Sequence, residues 1–188
     1  MNKYYFFLFT VSFFISTLCC SQNEQDLIKW DKNYKLKWED FKGKIDRSDE
    51  TIGAMCSSYL KIKNLGWKKS NGYFLIWAVF DMSDSWSKLK KNKDALKHEQ
   101  GHFDITEIYA RLLRKKLNNK RFKKNKLSRE IEFIFDEFEK EKNDYQDLYD
   151  KETDHSRNTE KQAEWYLKIE KQLLELEKYS STEIVVKF

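Results

Sequence analysis

One stretch of the sequence carries a pair of potential metal ligands. His98-Glu99-Gln100-Gly101-His102 has two histidines four positions apart, with a glutamate directly after the first. On a helix this spacing places both imidazoles on one face, where they can bind a single Zn²⁺. Glu99 then lies beside the pair and can act as a general base toward a water molecule on the metal. The pattern therefore predicts a zinc site suited to hydrolysis.

The third zinc ligand has to come from another part of the chain, because a catalytic zinc site uses three protein ligands and one open position. Ile108 stands where the longer H-E-x-x-H-x-x-G-x-x-H pattern has its third histidine, which excludes that arrangement. His155 is the last remaining histidine and our preferred ligand, since a loop at that place can lie against the first helix. The alternatives are glutamates of the predicted second helix, namely Glu130, Glu132, Glu137 and Glu139.

Several further polar residues are candidates for supporting roles. A zinc-bound imidazole usually donates its other N–H to a carboxylate or a carbonyl. The carboxylates that can serve in this way are those of Asp104, Glu107, Asp150 and Asp154. Tyr149 is a candidate for stabilising an oxyanion near the metal, and packing in the core is the alternative role for its ring.

Hydrophobic periodicity predicts an α+β fold, with a small antiparallel sheet packed on about three helices. Alternating apolar residues predict strands at 36–43, 54–63 and 73–82, and the chain closes with a short apolar strand at 182–188. The strands at 54–63 and 73–82 are expected to form a hairpin whose second strand is central or covered by a helix. That hairpin is also expected to align an extended peptide by edge pairing.

Capping residues and apolar spacing place the three helices. The first is predicted from Asn92 as N-cap to about Asn118, with both histidines in its core-facing stripe. The second is predicted to start at Ser128 and to fade after Asn143, leaving 149–156 as a loop or helix end. A capping box at 159–162 predicts the start of the third.

The N-terminus predicts export from the cytoplasm. Residues 1–21 hold one charge, an apolar run rich in Phe and then small residues, which is the pattern of a secretory signal peptide. Residues 22–188 are then a single domain. Cys20 is a candidate for lipidation, although Cys19 stands where a lipobox has Gly or Ala. We expect a secreted or periplasmic protein whose link to a membrane would be a lipid anchor at Cys20.

The remaining composition narrows the partners. Removing the signal leaves Cys56 as a single cysteine, which cannot form an internal disulfide. The formal net charge is only +5 at pH 7. The basic run at 114–126 suits the end of a helix and the loop after it, so we do not expect nucleic-acid binding.

Three motifs in combination resemble a known bacterial family. They are His98-Glu99-Gln100-Gly101-His102-Phe103-Asp104, Tyr149-Asp150-x-x-Thr153-x-His155 and Trp38-x-Asp40-Phe41-x-Gly43. Over about 36–169 the chain is similar to the predicted secreted zinc-dependent proteases of domain of unknown function family 922. The resemblance implies a zincin-like metallopeptidase in which His98, His102 and His155 bind zinc and Glu99 is the base. Ser156 departs from the family's pattern, which has Gly there, a residue suited to φ > 0.

The sequence thus predicts a secreted or periplasmic zinc metallopeptidase that acts on a peptide or protein substrate. One alternative is a non-catalytic, zinc-stabilised envelope binding protein, in which a fourth protein ligand would close the site. Another is a metal-free helical adaptor that uses its basic residues to bind anionic surface polymers.

Overall fold

The structure is a computed structural model that describes residues 24–48 and 52–188, so the predicted signal and Cys20 lie outside the described residues. It confirms the α+β class, with a small antiparallel sheet and three helices. The strands are β1 (Leu27–Lys29), β2 (Ala54–Met55), β3 (Ser58–Lys68), β4 (Asn71–Asp81), β5 (Trp86–Ser87) and β6 (Glu183–Lys187). The helices are α1 (Lys93–Asn119), α2 (Leu127–Thr153) and α3 (Thr159–Glu175).

The apolar strand β4 lies at the centre of the main sheet. β3 pairs with it antiparallel along one edge, and both β1 and β6 pair with it along the other. This confirms the predicted hairpin with a central second strand. Its first strand starts at Ser58 rather than Ala54, because β2 pairs with β5 in a separate two-stranded sheet. A peptide substrate therefore cannot add to the sheet beside β4, because both sides of β4 are already paired. The edge strand of the hairpin is β3.

Side chains of α2 cover the first part of the β3 edge. Glu139 accepts a hydrogen bond from the backbone N–H of Leu60 at 2.6 Å, and Lys142 Nζ donates to the backbone carbonyl of Ser58 at 3.0 Å. Lys142 also pairs with Glu139 at 2.8 Å and is almost fully buried. These two side chains satisfy the backbone groups that a neighbouring strand would otherwise take. An extended peptide therefore cannot pair with β3 at Ser58 and Leu60.

The prediction of a strand at 36–43 is wrong. The chain forms a short 3₁₀ turn at Trp38–Asp40 instead. Asp40 Oδ2 accepts hydrogen bonds from the Lys37 N–H at 2.9 Å and from the Tyr34 hydroxyl at 2.7 Å. Such local bonds from an Asp side chain compete with strand pairing and favour a turn. The turn still buries Trp38 and Phe41 in the core.

The first helix begins where the sequence predicts. Asn92 is the N-cap, and its side-chain oxygen accepts hydrogen bonds from the N–H groups of Asp94 and Ala95, both at 3.0 Å. α1 then packs against the sheet on one side and against α2 and α3 on the other. Because it is enclosed in this way, residues on most of its faces are buried, including His98 and His102.

The second helix is longer than its sequence pattern predicts. α2 starts with Lys126 as N-cap rather than Ser128, and it continues to Thr153 instead of fading after Asn143. Its second half lies against α1 and α3, where Tyr149 and Thr153 are fully buried. Tertiary packing thus extends a helix whose local periodicity is weak.

The turn between α2 and α3 has an unusual backbone. Asp154, His155 and Ser156 all have positive φ, at 48°, 50° and 73°. Residues with a Cβ adopt this left-handed backbone conformation at a cost of about 1 kcal/mol each. A glycine at position 156 would take this conformation without that cost. No helix in the described part of the chain combines the length and the apolar composition needed to cross a membrane.

Candidate metal centre

Three helices meet at the predicted metal site. α1 supplies His98, Glu99 and His102 from its second and third turns. α2 brings Asp150 to the same place from its last turn, and α3 brings Gln162 from its first turn. The extension of α2 beyond Asn143 is what carries Asp150 to the histidines.

The side-chain atoms of His98, His102 and Asp150 converge on one point. The two Nε2 atoms are 3.2 Å apart, and Asp150 Oδ1 lies 2.9 Å from that of His98 and 3.0 Å from that of His102. Within the described part of the chain, His98, His102 and Asp150 are the side chains placed to bind one metal ion together. The two imidazoles are buried, while the Asp150 side chain is 28% exposed, so the site opens to solvent on the Asp150 side.

A closed ring of hydrogen bonds fixes the orientation of His98. Tyr149 Oη donates to the backbone carbonyl of His98 at 3.2 Å, so it accepts the bond from Gln162 Nε2 at 2.6 Å. The amide oxygen of Gln162 then faces His98 Nδ1 at 2.7 Å and accepts its proton. His98 therefore carries hydrogen on Nδ1 and presents the lone pair of Nε2 to the site.

This arrangement requires a proton or a cation at the point of convergence. The lone pair of His98 Nε2 faces the Asp150 carboxylate and the second imidazole at hydrogen-bond distance. Without a proton or a cation between them, these three electron-rich atoms would repel one another. A single divalent cation satisfies all three at once, and two imidazoles with a carboxylate are ligands that zinc accepts.

The spacing of the three atoms also fits zinc. Ligand atoms that lie 2.0–2.1 Å from a tetrahedral zinc ion are about 3.3 Å apart. The observed separations of 2.9, 3.0 and 3.2 Å differ from this by only a few tenths of an ångström. Small side-chain rotations are sufficient to make up the difference. The residues present therefore fit a zinc ion, with three protein ligands.

Gln162 is expected to strengthen metal binding by holding His98 in place. Replacing Gln162 with Leu removes the acceptor for Nδ1, and losses of this kind lower metal affinity about 10- to 100-fold. Competitive zinc titration against a chelating dye measures the effect. Gln172→Leu is the matched control on the same helix, because Gln172 bonds Tyr145 rather than a histidine. Equal affinities in the two variants would remove Gln162 from the site.

Tyr149 occupies the space beside Gly101 and packs against His98. Its ring stacks on His98 with centroids 4.5 Å apart, packs 5.2 Å from Trp165 and is fully buried. A Cβ added at Gly101 would come 2.4 Å from Tyr149 Oη. Both hydrogen-bonding functions of the phenol are used within the protein, and burial raises its pKa. This geometry favours a positioning role for Tyr149 over oxyanion stabilisation.

Gly101→Ala is expected to destabilise the protein by about 2 kcal/mol, because overpacked cores lose about 1–3 kcal/mol. The free energy of unfolding from urea titration measures it. The cost should be clearly smaller in a Tyr149→Phe background, where the atom closest to the new methyl group is absent. The same cost in both backgrounds would show that the clash is not with the phenol oxygen.

Glu99 lies within electrostatic range of His98, His102 and Asp150. Its side chain is buried, at 6% exposure. Burial raises the pKa of Glu99, and the nearby His102 and His98 only partly offset this. Burial would also raise the pKa of Asp150, but the two imidazoles beside it hold that pKa well below its usual range. The two carboxyl groups thus differ in basicity, as two groups with different roles do.

Comparison with known proteins supports a family for this part of the chain. Residues 78–156 match a family model. The family is described as bacterial protein of unknown function (DUF922). No curated protein and no solved structure matches the chain.

The matched DUF922 segment contains all the candidate metal ligands. It runs from the second half of β4 to the turn after α2, and so includes the histidine pair, Asp150 and His155. The tryptophan motif around Trp38 lies outside it, as does Gln162 on α3. The family description carries no activity, so the chemistry rests on the site itself.

His155 lies at the rim of the site. Its Nδ1 is 3.7 Å from Asp150 Oδ1, and its side chain is 62% exposed. The sequence predicts that Asp150 orients an imidazole. In the structure Asp150 is instead a candidate ligand, because its Oδ1 contacts both buried imidazoles. His155 as third ligand remains a prediction from the sequence. Of the glutamates considered as the third ligand, Glu139 is excluded, because its carboxylate accepts hydrogen bonds from the Leu60 N–H and from Lys142.

The other carboxylates predicted to orient the imidazoles have different partners. Asp104 accepts hydrogen bonds from Trp30 at 2.7 Å and from Gln100 at 2.9 Å. Glu107 pairs with Arg111 at 2.9 Å and with Arg114 at 2.5 Å. Both positions are turned away from the histidine stripe by helical geometry, which explains why they pack α1 against other elements. Asp154 is exposed and pairs with Arg157.

Two residues of the site were missed by sequence reasoning. Gln162 was assigned to a capping box, but the N-cap is Asn158, whose side chain accepts from the Lys161 N–H at 3.1 Å. This one-residue difference frees Gln162 to bond His98. Gly101 had no predicted role. A glycine inside a helix is costly, and that cost is the signal that something packs against it.

Proposed function

We propose that the protein is a zinc-dependent metallopeptidase that works outside the cytoplasm. The observation that carries this proposal is the position of Glu99. It is a buried carboxylate with a raised pKa, close enough to His98, His102 and Asp150 for their charges to affect that pKa. A buried carboxylate in this setting is costly for stability and is typical of a general base.

The residues of the site have separate roles in this proposal. His98, His102 and Asp150 would hold the ion, and His155 contacts the substrate from the rim. A zinc ion held there would polarise a substrate carbonyl and lower the pKa of a water molecule. Glu99 accepts a proton from the attacking water and then passes it to the leaving amine as the C–N bond breaks. Its raised pKa brings it closer to the value that suits both steps.

Three protein ligands support a catalytic centre over a purely structural one. A structural zinc site is closed by four protein ligands, whereas a catalytic site keeps one position for water or substrate. The described group contains three ligating residues, and its Asp150 side is open to solvent. A fourth ligand from His155 would instead favour the zinc-stabilised binding protein. The choice between the two functions therefore depends on His155.

The substrate is proposed to reach the site from the turn that joins α2 to α3. Asp150 and His155 are the partly exposed groups on that side. Pairing with β4 is excluded because that strand is central, and pairing with β3 is blocked at Ser58 and Leu60. Side-chain contacts near the turn are thus a better candidate for substrate binding than strand addition.

Peptide hydrolysis by the purified, zinc-loaded chain tests the proposal. Unfolded casein and a pool of fluorogenic peptides are suitable substrates. We expect cleavage that stops on chelation and returns when zinc is added back. A folded, zinc-loaded protein that cleaves neither substrate, and whose melting temperature falls strongly on chelation, would favour the non-catalytic binding protein.

A further inference from the structure

Three segments meet at the end of the molecule where α1 finishes. They are the β3–β4 hairpin tip at 61–72, the α1–α2 loop at 119–127 and the C-terminal residues 184–188, and together we call them the basic end. The Phe122 N–H bonds the Lys187 carbonyl at 2.9 Å, and the Phe188 N–H bonds the Ser70 carbonyl at 3.0 Å. The backbone thus ties all three segments into one surface.

The basic end concentrates the positive charge of the chain. Its segments contain ten Lys and Arg residues and no Asp or Glu, whereas the chain as a whole has a formal net charge of +5. The remaining residues therefore carry a net negative charge. Lys120 pairs with Glu130 at 3.2 Å. Eight of the ten cations are exposed: Lys63, Lys68, Lys69, Arg121, Lys123, Lys124, Lys126 and Lys187.

Two large apolar side chains project from the same surface. Leu65 is 49% exposed and Trp67 is 48% exposed. A β-bulge between Asn64 and Gly66 interrupts the pairing with β4 and turns Leu65 outward. Trp67 is held by edge contacts with Phe74 at 5.5 Å and Phe188 at 5.6 Å, so its ring is fixed while half of it faces solvent.

An apolar cavity lies behind these residues. It has a volume of about 310 Å³ and is formed between the hairpin and the start of α2. Trp67, Phe74, Ile131 and Phe135 are among its lining residues. The basic end thus combines exposed positive charge with an apolar cavity.

We propose that the basic end binds the surface of a membrane that contains anionic phospholipids. Lysines and arginines interact with the headgroups, and Leu65 and Trp67 enter the interface between headgroups and acyl chains. Tryptophan and snorkelling lysines are the side chains that favour this region. A soluble polyanion would use the charges but would gain little from an exposed leucine, which is why the membrane is favoured. This inference does not depend on the proposed peptidase activity.

The proposed orientation leaves the metal centre in water. α1 ends at Asn119, at the basic end, and His102 lies 17 residues earlier in the same helix. At 1.5 Å per residue this places the site about 25 Å along the helix axis from the membrane-facing surface. A protein bound in this way would present its metal centre to partners or substrates beyond the headgroups.

Vesicle binding of the full chain tests the proposal. Vesicles of pure phosphatidylcholine are compared with vesicles that contain 30% phosphatidylglycerol, by cosedimentation. The first variant reverses four charges, Lys68, Lys69, Lys123 and Lys124, to Glu. Its matched control reverses Lys90 and Lys91, which are exposed before the start of α1, at the opposite end of that helix. The N-terminal apolar run is the same in every variant, so it cancels in the ratio between the two vesicles.

The expected result is a clear preference of the wild-type chain for the anionic vesicles. Each basic residue close to an anionic membrane strengthens binding about fivefold, so the four-residue variant should lose about two to three orders of magnitude in affinity. The control should lose little. Leu65→Ser should weaken vesicle binding several-fold without changing binding to soluble polyphosphate. Equal binding to both vesicles overturns the proposal. Strong polyphosphate binding together with no effect of Leu65→Ser also overturns it, in favour of a polyanion site.

Discussion

Glu99→Gln should abolish peptide cleavage while zinc remains bound. Amide nitrogen and oxygen preserve the shape of the side chain, but the amide cannot accept a proton at neutral pH. Loss of a positioned general base lowers the rate by about 10²- to 10⁴-fold. Zinc content by elemental mass spectrometry and cleavage rate on the same preparation separate the two effects. Glu160→Gln, at an exposed position at the start of α3, is the matched control.

The same substitution should stabilise the metal-free protein. Glu99 is a buried carboxylate whose pKa is raised by burial, so its charged form is unfavourable in the folded state. Replacing it with a neutral amide should raise the free energy of unfolding by about 1 kcal/mol, a common gain when a functional residue is removed. A variant that loses stability and keeps its cleavage rate would show that Glu99 is a structural residue.

Asp150→Ala should lower zinc affinity at least about 100-fold, because a carboxylate that contacts both imidazoles is removed along with its charge. His155→Ala should keep one zinc per chain, since His155 is largely exposed and contacts Asp150 from the rim. Zinc per chain, measured after dialysis of wild type and both variants, decides between the two ligand sets.

The reverse outcome has an equally clear meaning. If His155→Ala loses zinc and Asp150→Ala keeps it, His155 is the third ligand and Asp150 orients the imidazoles. If both substitutions lose zinc, the site has four protein ligands. That result would favour the zinc-stabilised binding protein, since no position would remain for water or substrate.

The parts of the site that follow from local geometry could be predicted from the sequence. The spacing of His98 and His102 places both on one helical face whatever the rest of the chain does, and Asn92 marks the start of that helix by a bond to its own neighbours. The apolar run of β4 likewise predicts a central strand. These features need no knowledge of distant contacts.

The parts that depend on packing between helices could not be predicted. α2 reaches Asp150 because Tyr149 is buried between α1 and α3, and no local pattern encodes that contact. Gln162 bonds a residue 64 positions earlier. The turn within 36–43 was missed for the opposite reason. Alternating apolar residues suggested a strand, but the Asp40 carboxylate accepts a hydrogen bond from the Lys37 N–H and favours a 3₁₀ turn.

The covering of the β3 edge also bears on how copies of the protein behave at high concentration. An open strand edge invites a second molecule to continue the sheet, which leads to aggregation. Here Glu139 and Lys142 form hydrogen bonds with the backbone groups at the start of β3. The bulge at Asn64 and Gly66 bends the rest of that strand. Lys63 and Lys68 then add like charges along the remaining length. The protein should therefore stay dispersed at concentrations where an unguarded hairpin of this length would polymerise.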